Sequence, residues 1–170
     1  LPHHDQLTGL PNRSLFAERF DLAAGHARRS GTKLALCMLD LDGFKAINDS
    51  HGHPQGDLLL CETARRLQSS VRASDTVCRI GGDEFAILFS DLQNSEAAGA
   101  LVRKTQQCLA PLFSIEETHH SVSASIGVAL FPVDGEDFST LFEHADVAMY
   151  FAKESGRDNV QFFRPEINQR

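Results

Sequence analysis

No stretch of this 170-residue chain approaches the roughly 18 consecutive apolar residues of a membrane span, and no signal-peptide pattern opens it. Contact of this segment with a membrane is therefore not expected. Internal repeats, low-complexity tracts and Pro/Gly/Ser linkers are also missing, which leaves a single domain over residues 1–170. Positive charge is scarce: 16 Lys and Arg face 23 Asp and Glu, for a formal net charge of −7. That balance excludes a broad nucleic-acid-binding surface, so no nucleic-acid polymer is expected as a partner. A negative protein that handles nucleotides needs metal ions and a few placed Lys or Arg to offset phosphate charge. Cysteine is limited to Cys37, Cys61, Cys78 and Cys108, widely spaced within apolar segments and without zinc-knuckle or redox spacing. Free thiols in a reducing cytosol are the expectation. No initiator Met precedes Leu1, so the chain is expected to be a piece of something longer.

What is present reads as ordinary globular sequence, 42% hydrophobic and 23% charged. Pro11-Asn12 opens a helix with Phe16, Phe20, Ala23 and Ala27 on one stripe, ended by Ser30-Gly31. Leu34 to Leu39 is nearly continuous apolar sequence ending at Asp40, as in a strand buried on both faces. A polar Gly- and His-rich stretch follows, then a helix from about Pro54 with Leu60, Ala64, Leu67 and Val71 on its stripe. Asn94-Ser95 starts a helix carrying Ala98, Leu101, Thr105 and Cys108. Val122, Ala124, Ile126, Val128 and Leu130 alternate with small residues, which predicts a half-buried strand. A last helix runs from about Phe138 to Glu154, burying Leu141, Ala145, Ala148 and Ala152 and ending at Gly156. Val160 to Phe163 closes the chain as a strand. The order implies an α+β domain of split-βαβ, palm-like kind, its mostly antiparallel sheet covered by helices mainly on one side.

Gly81-Gly82-Asp83-Glu84-Phe85 is the most informative segment. Two glycines between strand-like runs predict a tight hairpin, because glycine accepts the positive φ that such turns require. Asp83 and Glu84 then open a buried strand, a poor place for unpaired charge. They suit hard oxygen ligands for a divalent cation beside a phosphate substrate, with Gly81 and Gly82 giving that substrate room. Solvated acids at a hairpin tip fit the same letters. Asp40 and Asp42 flank Leu41 at the end of the first strand, their side chains on one side of it. If that strand pairs with the hairpin, Asp40 and Asp83 converge, and the Leu41 carbonyl adds an oxygen. A lone D-x-D more often just ends a strand; with Asp83-Glu84 in the same sheet, metal binding becomes the better reading.

The signature at residues 81–85 resembles that of GGDEF-domain diguanylate cyclases, and the resemblance covers nearly the whole chain. Asp5-Gln6-Leu7-Thr8-Gly9-Leu10-Pro11-Asn12-Arg13 is similar to the family's opening motif. Asp40 to Lys45, Ile47-Asn48-Asp49, His51-Gly52-His53 and Gly56-Asp57 resemble its central block. Ala145-Asp146, Met149-Tyr150, Ala152-Lys153 and Gly156-Arg157 resemble its C-terminal motif. The resemblance implies a nucleotidyl-cyclase fold that condenses two GTP into cyclic di-GMP and two pyrophosphates. It implies two Mg²⁺ or Mn²⁺ per active site, held by Asp40, Asp83 and the Leu41 backbone carbonyl. Asp83 is further implied as proton acceptor for the attacking ribose hydroxyl, with Glu84 the next signature acid and Phe85 plain core.

Asn48 and Asp57 match the family's guanine readers; an amide gives both donor and acceptor, and a carboxylate accepts from two guanine N–H groups. Asp57 in particular implies GTP over ATP, although an Asp facing the dipole in a first helical turn is common. Phe44 and Lys45 lead into a short helix, and Lys45 matches a phosphate-contacting position. Lys153 and Arg157, at i and i+4, match a triphosphate clamp on one helix face, although basic residues also compensate last turns. His51 and His53 form an H-x-H in a polar loop that the family uses as scaffold, and metal ligation by them is disfavoured. Arg72-Ala73-Ser74-Asp75 matches the family's inhibitory product site, with Arg103 as its secondary arginine. The resemblance also implies a transient antiparallel homodimer in the bacterial cytoplasm, possible attachment to a membrane-anchored parent included. Sensory segments are expected before residue 1, and residues 164–170 begin a connector like those preceding EAL phosphodiesterase domains.

Overall fold

The computed structural model describes residues 2–169. Helix α1 (Arg13–Ser30) starts where the Asn12 side chain accepts from the Leu15 N–H and stops at Gly31, whose φ of 72° takes the left-handed turn. Strand β1 (Lys33–Leu41) follows, then the short helix α2 (Phe44–His51) and helix α3 (His53–Ser70). The signature hairpin is β2 (Thr76–Gly81) and β3 (Glu84–Leu92). Helix α4 (Ser95–Leu109), a small hairpin of β4 (Phe113–Ile115) and β5 (Thr118–His120), and β6 (Ala124–Phe131) come next. Helix α5 (Phe138–Glu154), β7 (Val160–Phe162) and a 3-10 helix (Pro165–Gln169) complete the order. The 3-10 helix falls within residues 164–170, where a connector is expected; residue 170 lies outside the described residues.

The five strands lie in the order β2-β3-β1-β6-β7, antiparallel except for the parallel pair β6–β7. This is the α+β architecture expected, with one correction. Helices cover both faces of the sheet. Leu34, Leu36 and Met38 of β1 pack with Phe16, Phe20 and Ala145 from α1 and α5. Ala35, Cys37 and Leu39 face Leu59, Leu67 and Val102 from α3 and α4. Every residue of β1 after Lys33 is buried, which a one-sided layer does not allow.

The strand β6 is likewise buried on both faces rather than half-exposed. Its small residues are the floor on which α5 rests: a Cβ on Gly127 would overlap the Met149 nitrogen and the Ala145 carbonyl. Helix stripes shift slightly too. The α4 core positions are Ala98, Val102, Thr105 and Leu109, one residue on from Leu101 and Cys108, and α1 buries Ala24 where Ala23 was expected. All four cysteines are unpaired.

Candidate functional site

The sheet register assembles the carboxylates at one end of β1. Asp40 stands opposite Glu84 on β3 and opposite Ser125 on β6. Gly81 pairs with Glu84, so the hairpin tip is Gly82-Asp83, one residue beyond the Gly-Gly pair expected to form it. Gly82 takes φ 51°, and the Leu41 N–H donates to the Asp83 carbonyl at 3.2 Å. The tip is thereby stitched to the end of β1.

Asp83 and Asp40 meet side chain to side chain. Burial first, then the hydrogen bond and charge of Asp40, push the Asp83 carboxyl up to about 7. Glu84 is raised as well, by burial and then by the charges of Asp40 and Asp146. Lys153, in the last turn of α5, forms an ion pair with Asp40, whose side chain is only 6% exposed. Burial opposes the charge on Lys153, yet its bond to Asp40 holds the ammonium above its usual range. Two acids that share a proton and draw a lysine onto themselves form a site short of positive charge. That donor set, with the Leu41 carbonyl on the same strand end, fits a hard divalent cation.

Asp42 does not join this pair. Its oxygens accept from the Ser123 and Ser125 hydroxyls, both at 2.7 Å, so the expected D-x-D cluster divides into two functions. Arg157 departs from expectation as well. Helix α5 ends at Glu154, and Arg157 lies past it at φ 63°, so it shares no helix face with Lys153. Its Nη1 lies 3.8 Å from Asp42 Oδ1.

Asn48 on α2 points into the joint with α3. Its Oδ1 is buried with no hydrogen-bond partner, and it occupies the space a Cβ on Gly56 would need. Asp57, the next residue, is exposed and sits beyond the first turn of α3, which removes the helix-dipole reading of it. Phe44 is buried in the core and Lys45 is exposed. The H-x-H pair is not in a loop: His51 ends α2 and His53 opens α3, with Gly52 between them. The His51 ring stands edge-on to that of His120, whose Nε2 bonds Gln55 Oε1 at 2.7 Å. Among the described residues, no group of three or more His, Cys, Asp or Glu is arranged to hold a metal.

At the far end of the hairpin, Arg72 makes a bidentate pair with Asp75, Nε–Oδ2 at 2.9 Å and Nη2–Oδ1 at 2.8 Å. The Asp75 side chain is fully buried and also accepts from the Arg72 and Ser90 N–H groups. Arg103 is exposed on α4. Sequence reasoning missed Arg79, which donates from Nε and Nη2 to the Gly82 carbonyl at 3.2 and 2.8 Å. It missed the roles of Asp5 and Gly56 too, although both stand inside quoted motifs. Among the described residues, no helix is long and apolar enough to cross a membrane.

A two-faced α+β sheet with paired carboxylates at a Gly-rich hairpin tip defines a palm-like domain. Residues 2–159 match the family model for diguanylate cyclases, GGDEF domain, and the chain belongs to that family. It is 44% identical over 165 residues to the bifunctional diguanylate cyclase/cyclic di-GMP phosphodiesterase MucR of Pseudomonas aeruginosa, covering 97% of this chain and 24% of MucR. The chain thus spans about a quarter of that relative. The isolated GGDEF domain of TpbB from the same organism superposes with a TM-score of 0.94 at 36% identity, covering 99% of this chain and 100% of that one. The GGDEF domain of DgcB from Caulobacter crescentus, solved in complex with c-di-GMP, matches with a TM-score of 0.84 at 28% identity, covering 95% and 93%.

Proposed function

We propose that this domain condenses two GTP into cyclic di-GMP and two pyrophosphates. The observation that carries the reading is the Asp40–Asp83 carboxylate pair at the hairpin tip, with Lys153 drawn onto Asp40. Asp40, Asp83 and the Leu41 carbonyl would hold two Mg²⁺ or Mn²⁺, which neutralise phosphate charge and favour the leaving pyrophosphate. Asp83 accepts the proton of the attacking 3′-hydroxyl, and bound metal would keep its carboxylate ionised for that task. Glu84 adds negative charge beside it.

Asn48 and Asp57 read guanine. The partnerless Oδ1 of Asn48 supports this, since a buried acceptor left unsatisfied in the free protein gains a bond from a base N–H. Lys45, Lys153 and Arg157 take the phosphates, with Phe44 packing beneath. Lys153 serves the site in two ways: it balances Asp40 when substrate is absent and turns to the triphosphate when substrate arrives. Each domain holds one GTP, so the reaction needs two domains facing each other in antiparallel fashion. Product binds back at the Arg72-to-Asp75 motif, where buried Asp75 holds the half-exposed Arg72 guanidinium in place, with Arg103 as a secondary contact, and slows the enzyme. The parent chain carries sensory segments before this domain and an EAL domain after it, the domain itself lying in the bacterial cytoplasm where GTP is available.

The test is direct: incubate the protein with GTP and Mg²⁺, with and without forced dimerisation, and separate the products. Cyclic di-GMP and pyrophosphate are expected. GTP binding with no cyclic product from the forced dimer would make this a silent module regulating its neighbour. Turnover at the wild-type rate in Asp83→Asn would remove the role given to Asp83.

A further inference from the structure

We infer that Asp42 is a positioning residue: it clasps the turn at residues 156–159 and aims Arg157 at the phosphate end of the site. The inference rests on the reading of Arg157 as a phosphate contact. Asp42 is 10% exposed at its side chain, and both of its oxygens are engaged. Oδ2 accepts from the Ser123 hydroxyl at 2.7 Å and from the Asp158 N–H at 3.0 Å. Oδ1 accepts from the Ser125 hydroxyl at 2.7 Å, with Arg157 Nη1 at 3.8 Å. One carboxylate thus ties the end of β1 to the start of β6 and to the loop between α5 and β7.

The loop needs such a tie. Gly156, Arg157 and Asp158 have φ values of 107°, 63° and 46°, three successive residues in the left-handed half of the map, two of them not glycine. Conformations of this kind persist only where the surroundings over-determine them. On the α5 side, the Ala152 carbonyl accepts from the Arg157 N–H at 3.1 Å and from Asn159 Nδ2 at 2.8 Å. On the sheet side two groups hold it: Asp42 accepts from the Asp158 N–H, and the Ile126 N–H of β6 donates to the Asn159 carbonyl at 3.0 Å. Arg157 itself is 59% exposed, so its direction is set by this turn and by the Asp42 charge rather than by packing.

Asp42→Asn is the informative change, since its amide turns a donor toward groups that already donate. Two readings are taken: amide exchange at Asp158 without nucleotide, and KM for GTP against kcat. Faster exchange at Asp158 is expected, with KM raised about tenfold and kcat lowered much less. In an Arg157→Ala background, Asp42→Asn should add no further rise in KM, because the two act as one unit. If Asp42→Asn fails to fold, Ser123→Ala/Ser125→Ala loosens the same clasp with its charge intact, and should raise KM by about threefold. Unchanged Asp158 exchange, or additive effects of Asp42→Asn and Arg157→Ala on KM, overturns the inference while leaving the cyclase reading in place. A wild-type chain that binds no GTP overturns both.

Discussion

Asp5 and Arg79, 74 residues apart in sequence, form an ion pair with Arg79 Nη1 at 3.1 and 3.2 Å from the two carboxylate oxygens. Burial works against the charge on Asp5, but hydrogen bonds from the Thr8 hydroxyl and N–H and from Arg79 hold its carboxyl below the usual range. The other edge of the same guanidinium grips the Gly82 carbonyl, and the Arg79 N–H donates to the Pro11 carbonyl at 3.1 Å. The entry segment of the domain and the signature hairpin are therefore one mechanical unit. Arg79→Ala should lower unfolding free energy by about 2 kcal/mol, as expected for charge-assisted bonds in a partly buried pair. Cyclic product formation should fall more than stability alone explains, because the Gly82-Asp83 tip loses its brace. Urea unfolding and initial rates on the still-folded fraction separate the two effects.

Gly127 should be the least replaceable glycine in the sheet. A Cβ there would overlap backbone atoms of α5 at Ala145, Ala148 and Met149, none of which can rotate away. Gly127→Ala should destabilise the fold by about 3 kcal/mol or more, since α5 must lift off β6 to admit one methyl group. Lys153 rides on α5, so GTP affinity should weaken with it. Thermal unfolding and nucleotide titration of the variant check both parts, and a melting curve like that of the wild type would refute the close approach.

Asp83 makes the metal-free protein pH-sensitive in a defined direction. Burial, then the bond to and charge of Asp40, raise its carboxyl from 3.8 to about 7 in the folded state. Between those values the folded protein holds a proton that the unfolded chain releases. Stability therefore falls as pH rises through this window and levels off above it. Asp83 is partly solvent-exposed, so screening reduces the contribution to roughly 1 kcal/mol. Asp83→Asn should shrink the stability difference between about pH 5 and about pH 8 by that amount. Saturating Mg²⁺ should also flatten the profile of the wild type, by favouring the ionised pair. Denaturant unfolding in EDTA, then in Mg²⁺, at both pH values is the measurement.

Both halves of the Asp40–Asp83 convergence were legible from local rules, a Gly-rich tip and a strand that ends in an acid; the pairing of β1 with β3 that joins them is long-range and stood only as a condition. The second helix layer was not legible, since the apolar run of β1 calls for two covers without naming them, and the small residues of β6 read as an exposed face. Gly127 shows why: smallness there marks a helix resting on the strand, which period-two alternation alone does not reveal. The β4–β5 hairpin escaped notice because its turn is Glu116-Glu117, at φ 46° and 71°, where no Gly or Asn announces left-handed backbone. The motif match and i, i+4 spacing put Arg157 on the helix face of Lys153, whereas it lies in a left-handed turn bonded to Asp42, 115 residues earlier in the sequence.

Gly56 and Asn48 give the sharpest test of the guanine reading. Asn48 Oδ1 fills the space where a Gly56 side chain would project, with the Phe44 ring 3.3 Å from the same point. Because the obstacle is a side-chain end rather than backbone, Gly56→Ala should be accommodated by rotation of Asn48 out of the α2–α3 joint. Alanine also favours helix over glycine by up to about 1 kcal/mol, so the stability change should be small. Nucleotide binding should respond differently. With Asn48 displaced, its bonds to the base are lost, and GTP affinity should weaken by about tenfold or more, the effect of removing one or two polar contacts. Discrimination between GTP and ATP should weaken in parallel, because Asp57 is left to read the base alone. Calorimetric titration with both nucleotides, beside an unfolding curve, decides the matter: unchanged GTP affinity in a folded Gly56→Ala variant would take Asn48 out of the binding site.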